Sequence, residues 1–208
     1  MTTILLTGFE PFAGADSNPS WDAVSEVQAN WSRPEQLVTA RLPVAFAAAG
    51  AELRKLLAEH SADIVIATGL ADGRDAISLE RVAINVDDAR IPDNDGQQPI
   101  DVPISIDGPA AWFSGLPIKA ITSAIVRAGI PAAVSQTAGT YVCNHVFYVL
   151  MEAVHVMNQG KPGTRAGFVH VPSAETLPVA DVARAFGIAI DVTLQGADDL
   201  VVPGGAEH

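Results

Sequence analysis

Pro131-Ala-Ala-Val-Ser-Gln-Thr-Ala-Gly-Thr-Tyr-Val-Cys143-Asn-His-Val-Phe-Tyr-Val-Leu-Met-Glu-Ala-Val154 is the stretch from which the fold class can be read. Ala132 to Ser135 has the character of a short buried strand, bounded by Pro131 and the loop signal Ala138-Gly139-Thr140. From Asn144 the period changes: Val146, Phe147, Leu150, Met151 and Val154 recur at three- and four-residue spacing, one face of a helix. The only cysteine of the chain therefore sits where strand and loop hand over to a helix. Unpaired N–H groups and the positive end of the helix dipole meet at such a place and favour thiolate over thiol. Two readings are open for a lone cysteine: a nucleophile, or a small buried hydrophobe.

The same alternation runs through the chain. Strands are predicted at Ile4-Leu5-Leu6, Leu37 to Val44, Ile64 to Ala67, Ile77 to Val86, Ala132 to Ser135 and Ala166 to Val171. Helices are predicted after Asn18-Pro19, with Asn18 as cap and Pro19 in the first turn, then over Phe46 to Leu57, Ile118 to Ala128, and Val179 to about Phe186. Strands alternating with helices imply an α/β layer fold around a mostly parallel sheet, whose strand carboxyl ends form the ligand crevice. Residues 87–117 break the pattern. This connection is rich in Pro, Asp and Gly, with a possible short strand at Ile104-Ser-Ile. Its length points to a lid, a subunit contact or disorder, and its scattered apolar residues Ile91, Ile100, Trp112 and Phe113 favour order.

With 208 residues, 49% hydrophobic and 17% charged, the chain is expected to form one compact domain over residues 1–208. A net charge of -12 argues against a nucleic-acid partner, whose phosphates would be repelled. One cysteine allows no internal disulfide. The start, Met1-Thr-Thr-Ile-Leu-Leu-Thr-Gly8, has no basic lead, and no segment has the length of a membrane span. The expectation is a soluble cytoplasmic protein without membrane partners.

A cysteine nucleophile needs a base and a group that orients the base. Of the five histidines, His145 lies two residues beyond Cys143 on the helix and points away from it. His60 closes a helix, His155 lies well down the Cys143 helix, and His208 is the last residue. His170 remains, at the carboxyl end of a predicted strand; it reads equally as a base or as a hydrogen-bonded core histidine. Glu80 is an acid inside the apolar run Ile77 to Asn85, and buried carboxylates have partners. That partner is the base, or else Arg81 or Arg74. No phosphate-binding loop and no His-Glu-x-x-His motif occurs, and a single cysteine cannot build a structural zinc site.

Several blocks of residues resemble one family. They are Thr7-Gly-Phe-Glu-Pro-Phe-Ala-Gly14 through Asn18-Pro-Ser-Trp21, Gly73-Arg74 to Asn85 with Glu80-Arg-Val-Ala-Ile-Asn, and Ser135 to Asn144 with Ala138-Gly-Thr-Tyr-Val-Cys-Asn144. Asp88-Ala-Arg-Ile-Pro-Asp-Asn-Asp-Gly96 and Gly167-Phe-Val-His-Val-Pro172 extend the match. Together, from residue 4 to about 173, they resemble pyroglutamyl peptidase I (pyrrolidone-carboxylate peptidase), a family of cysteine peptidases that remove an N-terminal pyroglutamyl residue. The resemblance implies a three-layer α/β/α sandwich and a Cys143–His170–Glu80 triad. It also implies Phe9 and Phe12 flanking the pyroglutamyl ring, Ile91, Tyr141 and Val142 as further pocket wall, Asn18 beside the pocket, and Arg90 at the oxyanion site. Phe9 and Phe12 also read as ordinary packing between loop and helix. No metal or organic cofactor is implied, the substrates are N-terminally pyroglutamylated peptides, and a homodimer or homotetramer is expected. Asp72 and Ser173-Ala174 depart from the family pattern, and the tail after Gln195 matches nothing in it. Other readings are a cysteine hydrolase for a different small amide, a binding protein that keeps the pocket alone, and a purine phosphorylase-like activity that the architecture allows but no residue supports.

Overall fold

The structure, a computed structural model, describes residues 1–159, 163–196 and 198–205; His208 lies outside the described residues. Among the described residues, eight strands and five helices follow one another. β1 (Thr3–Phe9), β2 (Gln36–Leu42), β3 (Ile64–Leu70), β4 (Ile77–Glu80), β7 (Ala132–Ser135) and β8 (Arg165–Val171) form one sheet in the order β2-β1-β3-β8-β4-β7. The first four strands of that order are parallel, β4 runs antiparallel to β8, and β7 parallels β4. β5 (Val82–Ile84) and β6 (Ala111–Phe113) make a separate antiparallel ribbon.

Strand residues alternate between two cores, the signature of a sheet covered on both faces. Ile4, Leu6, Ile64, Ile66 and Val169 pack on one side against α1 (Pro19–Ala29), α3 (Ile118–Arg127) and α5 (Val179–Leu194). Leu5, Val65, Ala67 and Phe168 pack on the other against α2 (Phe46–His60) and α4 (Val142–Met157). The fold is thus a three-layer α/β/α sandwich around a mostly parallel sheet. α4 is buried over a wide arc, from Val146 and Phe147 to Leu150 and Val154. Each such large apolar side chain contributes roughly 1.5–3 kcal/mol relative to exposure.

Several expected boundaries move. The run from Ile77 to Val86 splits at Arg81, where the chain leaves the main sheet to pair with β6. The strand suggested at Ile104 does not form, because the Asn85 side chain takes both backbone groups of Ser105 (Ser105 N–H to Oδ1 2.9 Å, Nδ2 to the Ser105 carbonyl 2.7 Å). The extended segment is instead Ala111–Phe113. α5 continues through Gly187 to Leu194, since Ala189, Ile190 and Thr193 prolong the buried stripe. α4 begins at Val142 rather than Asn144, which puts Cys143 inside its first turn.

The connection from 87 to 117 is ordered by polar clamps more than by its apolar residues. Ile91, Ile100 and Phe113 are exposed, and Trp112 is half-buried. Asp87 and Val102 exchange both backbone hydrogen bonds, and Asp88 N–H donates to the Thr140 carbonyl. The Asp93 carboxylate accepts from the N–H groups of Phe46 (2.9 Å), Asp95 and Gln97, capping α2, whose own cap residue Ala45 has no side-chain acceptor. The residues beyond α5 are tied down similarly. Asp199 accepts from the Lys119 and Ala120 N–H groups at the start of α3, and the Gly204 carbonyl accepts from Arg81 and Gln136. Among the described residues no helix is long and apolar enough to cross a membrane.

Candidate active site

The carboxyl ends of β1, β3 and β8 lie side by side, and α4 starts above them. Two glycines let these elements close. A Cβ at Gly8 would stand 2.7 Å from the backbone of Trp21, so only glycine allows the start of α1 to settle on β1. There Asn18 caps α1 as expected: its Oδ1 accepts from the Ser20 N–H (3.1 Å) and hydroxyl (2.8 Å), while Nδ2 donates to the Glu10 carbonyl. The Phe9 N–H in turn donates to the Ser20 hydroxyl at 3.0 Å. A Cβ at Gly69 would stand 2.8 Å from the Cys143 Sγ. The sulfur therefore occupies the space that any other residue at position 69 would fill.

That position fixes the sulfur beside the predicted base. Gly69 of β3 pairs with His170 of β8, and directly paired residues of a parallel sheet present the same face. β4 presents Glu80 to that same face, two residues beyond Ser78, which pairs with His170. The Glu80 carboxylate is completely buried, and its Oε1 lies 2.8 Å from the His170 Nδ1. Because β4 is antiparallel to β8, the carboxylate enters one step deeper than the imidazole and supports it from below. The same oxygen accepts from the Arg74 guanidinium at 2.6 Å, so both partners weighed for Glu80, the base and Arg74, are present together. Arg81 points elsewhere, to the Gly204 carbonyl.

Charge in this cluster is set by burial. Burial, then the nearby Glu80 charge, push the Cys143 thiol up to about 12, with Arg74 opposing. Burial pushes the His170 imidazole down, against its bond to Glu80. Both shifts favour the uncharged forms, a thiol and a neutral imidazole, so desolvation here opposes the pull of the helix start toward thiolate.

A narrow cleft of about 40 Å3 opens over the sulfur, lined by Phe9, Phe12, Asn18, Val44, Leu70, Tyr141, Val142 and Cys143. No charged side chain is in this lining. Phe46 stacks edge-on to Tyr141 at 5.4 Å, and the Tyr141 hydroxyl donates to the Pro92 carbonyl at 3.0 Å, holding the long connection against the rim. Six of the residues named from sequence line the cleft, and four do not. His170 and Glu80 are buried outside the lining, and Ile91 and Arg90 are exposed, on the segment that reaches the rim through Pro92. Asp72 is exposed and accepts from the Gly73 N–H, and the Ser173 hydroxyl pairs with Thr176; neither is in the lining. A larger open groove of about 410 Å3 between α1 and α5 holds Trp31, Arg33 and Asp191 but no nucleophile. Among the described residues no cluster of three or more His, Cys, Asp or Glu side chains could hold a metal ion.

Val44, Leu70, Gly69, Arg74 and Asn144 were not singled out as site residues from sequence. Asn144 is fully buried and grips the ribbon, accepting from the Ile84 N–H at 3.0 Å and donating to the Ile84 and Val86 carbonyls. Its only sequence signal is a polar residue on an otherwise apolar helix face.

A family model described as pyroglutamyl peptidase matches residues 2–197. The chain belongs to the pyroglutamyl peptidase family. It is 52% identical to a pyrrolidone-carboxylate peptidase of Clavibacter michiganensis subsp. michiganensis, over 99% of both chains. It is 48% identical to that of Escherichia fergusonii over the whole of both. Among solved structures, the pyroglutamyl peptidase I of Bacillus amyloliquefaciens superposes with a TM-score of 0.90 at 43% identity, covering 97% of this chain and 99% of that one. The pyrrolidone carboxyl peptidase of Thermococcus litoralis does so with a TM-score of 0.90 at 36% identity, covering 98% and 100%. A pyroglutamyl peptidase fold is what brings Cys143 and His170, 27 residues apart in the sequence, to one sheet edge.

Proposed function

We propose that this member of the pyroglutamyl peptidase family hydrolyses the amide bond after an N-terminal pyroglutamyl residue, with Cys143 as nucleophile, His170 as general base and acid, and Glu80 as its orienter. The observation that carries the reading is the Cys143 sulfur over Gly69, beside an imidazole whose Nδ1 is held by Glu80 at 2.8 Å, at the floor of an uncharged cleft.

With Nδ1 donating to Glu80, the His170 Nε2 lone pair is available to the thiol proton. As sulfur attacks the pyroglutamyl carbonyl, that proton passes to Nε2, and Glu80 stabilises the imidazolium that forms. The developing oxyanion meets the N–H groups of the first turn of α4. The first intrahelical bond there is His145 N–H to the Tyr141 carbonyl, which leaves Cys143 N–H without an intrahelical acceptor. Arg90, exposed in this structure, keeps the second oxyanion role that the resemblance implies. The tetrahedral species collapses as His170 protonates the departing amine, giving a thioester. Water, deprotonated by His170, then releases pyroglutamate and regenerates the thiol.

Substrate choice follows from the lining. Pyroglutamate is a neutral lactam, and aromatic and aliphatic walls with a few amide partners suit it. A free α-ammonium would enter without a counter-ion, at a cost of several kcal/mol. The experiment is chromophore release from pyroglutamyl, prolyl and alanyl anilides, with and without alkylation by iodoacetamide. Turnover confined to the pyroglutamyl anilide and abolished by alkylation is expected. Equal turnover of the alanyl compound, or full activity of Cys143→Ala, would overturn the reading. Action in the cytoplasm as a homodimer or homotetramer belongs to the same proposal, and sedimentation velocity measures the assembly.

A further inference from the structure

The Glu80 carboxylate has no exposure, and its second oxygen, Oε2, has no hydrogen-bond partner among the described residues. A buried carboxylate in that state needs a counter-charge. A neutral imidazole does not supply one. The Arg74 guanidinium does: one nitrogen lies 2.6 Å from Glu80 Oε1, the oxygen that also meets His170, and another donates to the Thr137 carbonyl at 2.9 Å. Thr137 opens the loop that leads through Gly139 and Tyr141 to Cys143. Arg74 is half-buried, lies outside the cleft lining and is unsuited to touch a substrate there.

We propose that Arg74 is the standing counter-ion of Glu80, a positioning residue that leaves His170 free to be the neutral base and ties the orienting carboxylate to the loop before the nucleophile. Without it, the buried carboxylate has one remaining source of positive charge, the imidazole itself. His170 would then hold a proton near neutral pH and could not take one from sulfur. The charged groups that act on His170 are Glu80 from β4 and Arg74 from the loop before β4, and the same two act on Cys143 of α4. Tyr141 lies beyond the sulfur. Asp72 and Asp75, which flank Arg74 on its loop, are exposed.

The inference rests on the peptidase reading above, but its first measurement needs no substrate. In histidine NMR titrations of the whole protein, with His170→Gln identifying the resonance, Arg74→Met should raise the pH at which His170 charges. In kcat/KM profiles on the pyroglutamyl anilide, Arg74→Met should lose on the order of 10- to 100-fold near neutral pH, the factor that one close charge makes in a protonation equilibrium. The loss should be regained at alkaline pH, with KM little changed. Arg74→Lys should keep the wild-type profile. Arg74→Gln, a neutral donor and the fallback if the Met variant does not fold, should follow Arg74→Met. In a Glu80→Gln background the Arg74 change should add almost nothing, because the anion it serves is gone. An unmoved His170 titration, a loss equal at every pH, or full additivity with Glu80→Gln would overturn the proposal. If instead the wild type turned over no pyroglutamyl substrate while the titration moved as stated, the peptidase reading would fail and the counter-ion would stand.

Discussion

The chain contains two histidine–carboxylate pairs, close in geometry and different in surroundings. His170 Nδ1 lies 2.8 Å from Glu80, and His145 Nδ1 lies 2.8 Å from Asp87. Both carboxylates are buried, and in both the second oxygen has no partner among the described residues. Yet only the first pair has its histidine on the strand beside Gly69, against which the sulfur rests. His145, two residues after Cys143 on α4, is turned toward α2, where its ring meets Phe46 at 5.7 Å and the backbone at Gly50. Its carboxylate belongs to the long connection, so the pair fastens residues 87–102 to α4. A histidine held by an acid is therefore not by itself a catalytic signature. Glu80 also has Arg74, whereas Asp87 has no ion-pair partner besides His145 among the described residues.

The sharpest way to break this contrast is to delete each imidazole. His170→Ala is expected to lower kcat on a pyroglutamyl anilide by ~10⁴-fold or more, as loss of a triad member does. His145→Ala should leave kcat within a few fold and lower stability by about 1–3 kcal/mol, the penalty for a stranded buried acceptor, read as a fall in Tm. Activity lost from both variants alike would erase the distinction. A smaller effect is expected at Gly69, the strand partner of His170. Gly69→Ala places a methyl 2.8 Å from the resting sulfur. Displacing the sulfur by such an amount should cost on the order of 10²-fold in kcat with the fold intact, measured alongside circular dichroism.

The smallest effect is one of pH. The Cys143 thiol is raised in the folded protein from 9.0 to about 12. Folding then favours the protonated sulfur, so its contribution is complete below pH 9 and is lost as pH rises toward 12. His170 is lowered, so its contribution is complete above the ordinary imidazole value and is lost as pH falls below it. Urea unfolding of Cys143→Ser against the wild type should show the variant losing less stability between pH 9 and pH 12. Parallel curves across that window would mean the sulfur is not desolvated in solution.

The sequence carries these features unequally. Cys143 was legible because a change of period marks a helix start, and His170 because it ends an apolar strand. Glu80 stood out as an acid in an apolar run. The sheet's mixed direction was not legible: a period of two identifies a strand without saying which way it points, and β4 reverses. Arg74 was legible only as one of three possible partners, since sequence offered no means of seeing that one oxygen serves two donors. Gly69 read as a loop marker after β3, because the sulfur that needs its vacancy lies 74 residues further along the chain. Asn85 and Asn144 read as ordinary polar residues; their amides replace strand partners across space, which no local period records. The expected site and the observed geometry diverge most at Arg90 and Ile91, which are exposed beside Pro92, the residue whose carbonyl meets Tyr141 at the rim.

The grip of Asn144 on Ile84 and Val86 has a mechanical consequence. Because it adjoins Cys143, the ribbon of β5 and β6 is bolted to the turn that carries the sulfur. Movement of the ribbon, which Arg81 joins directly to β4, is therefore shared between the sheet and the turn at Cys143, the second route running through one buried amide.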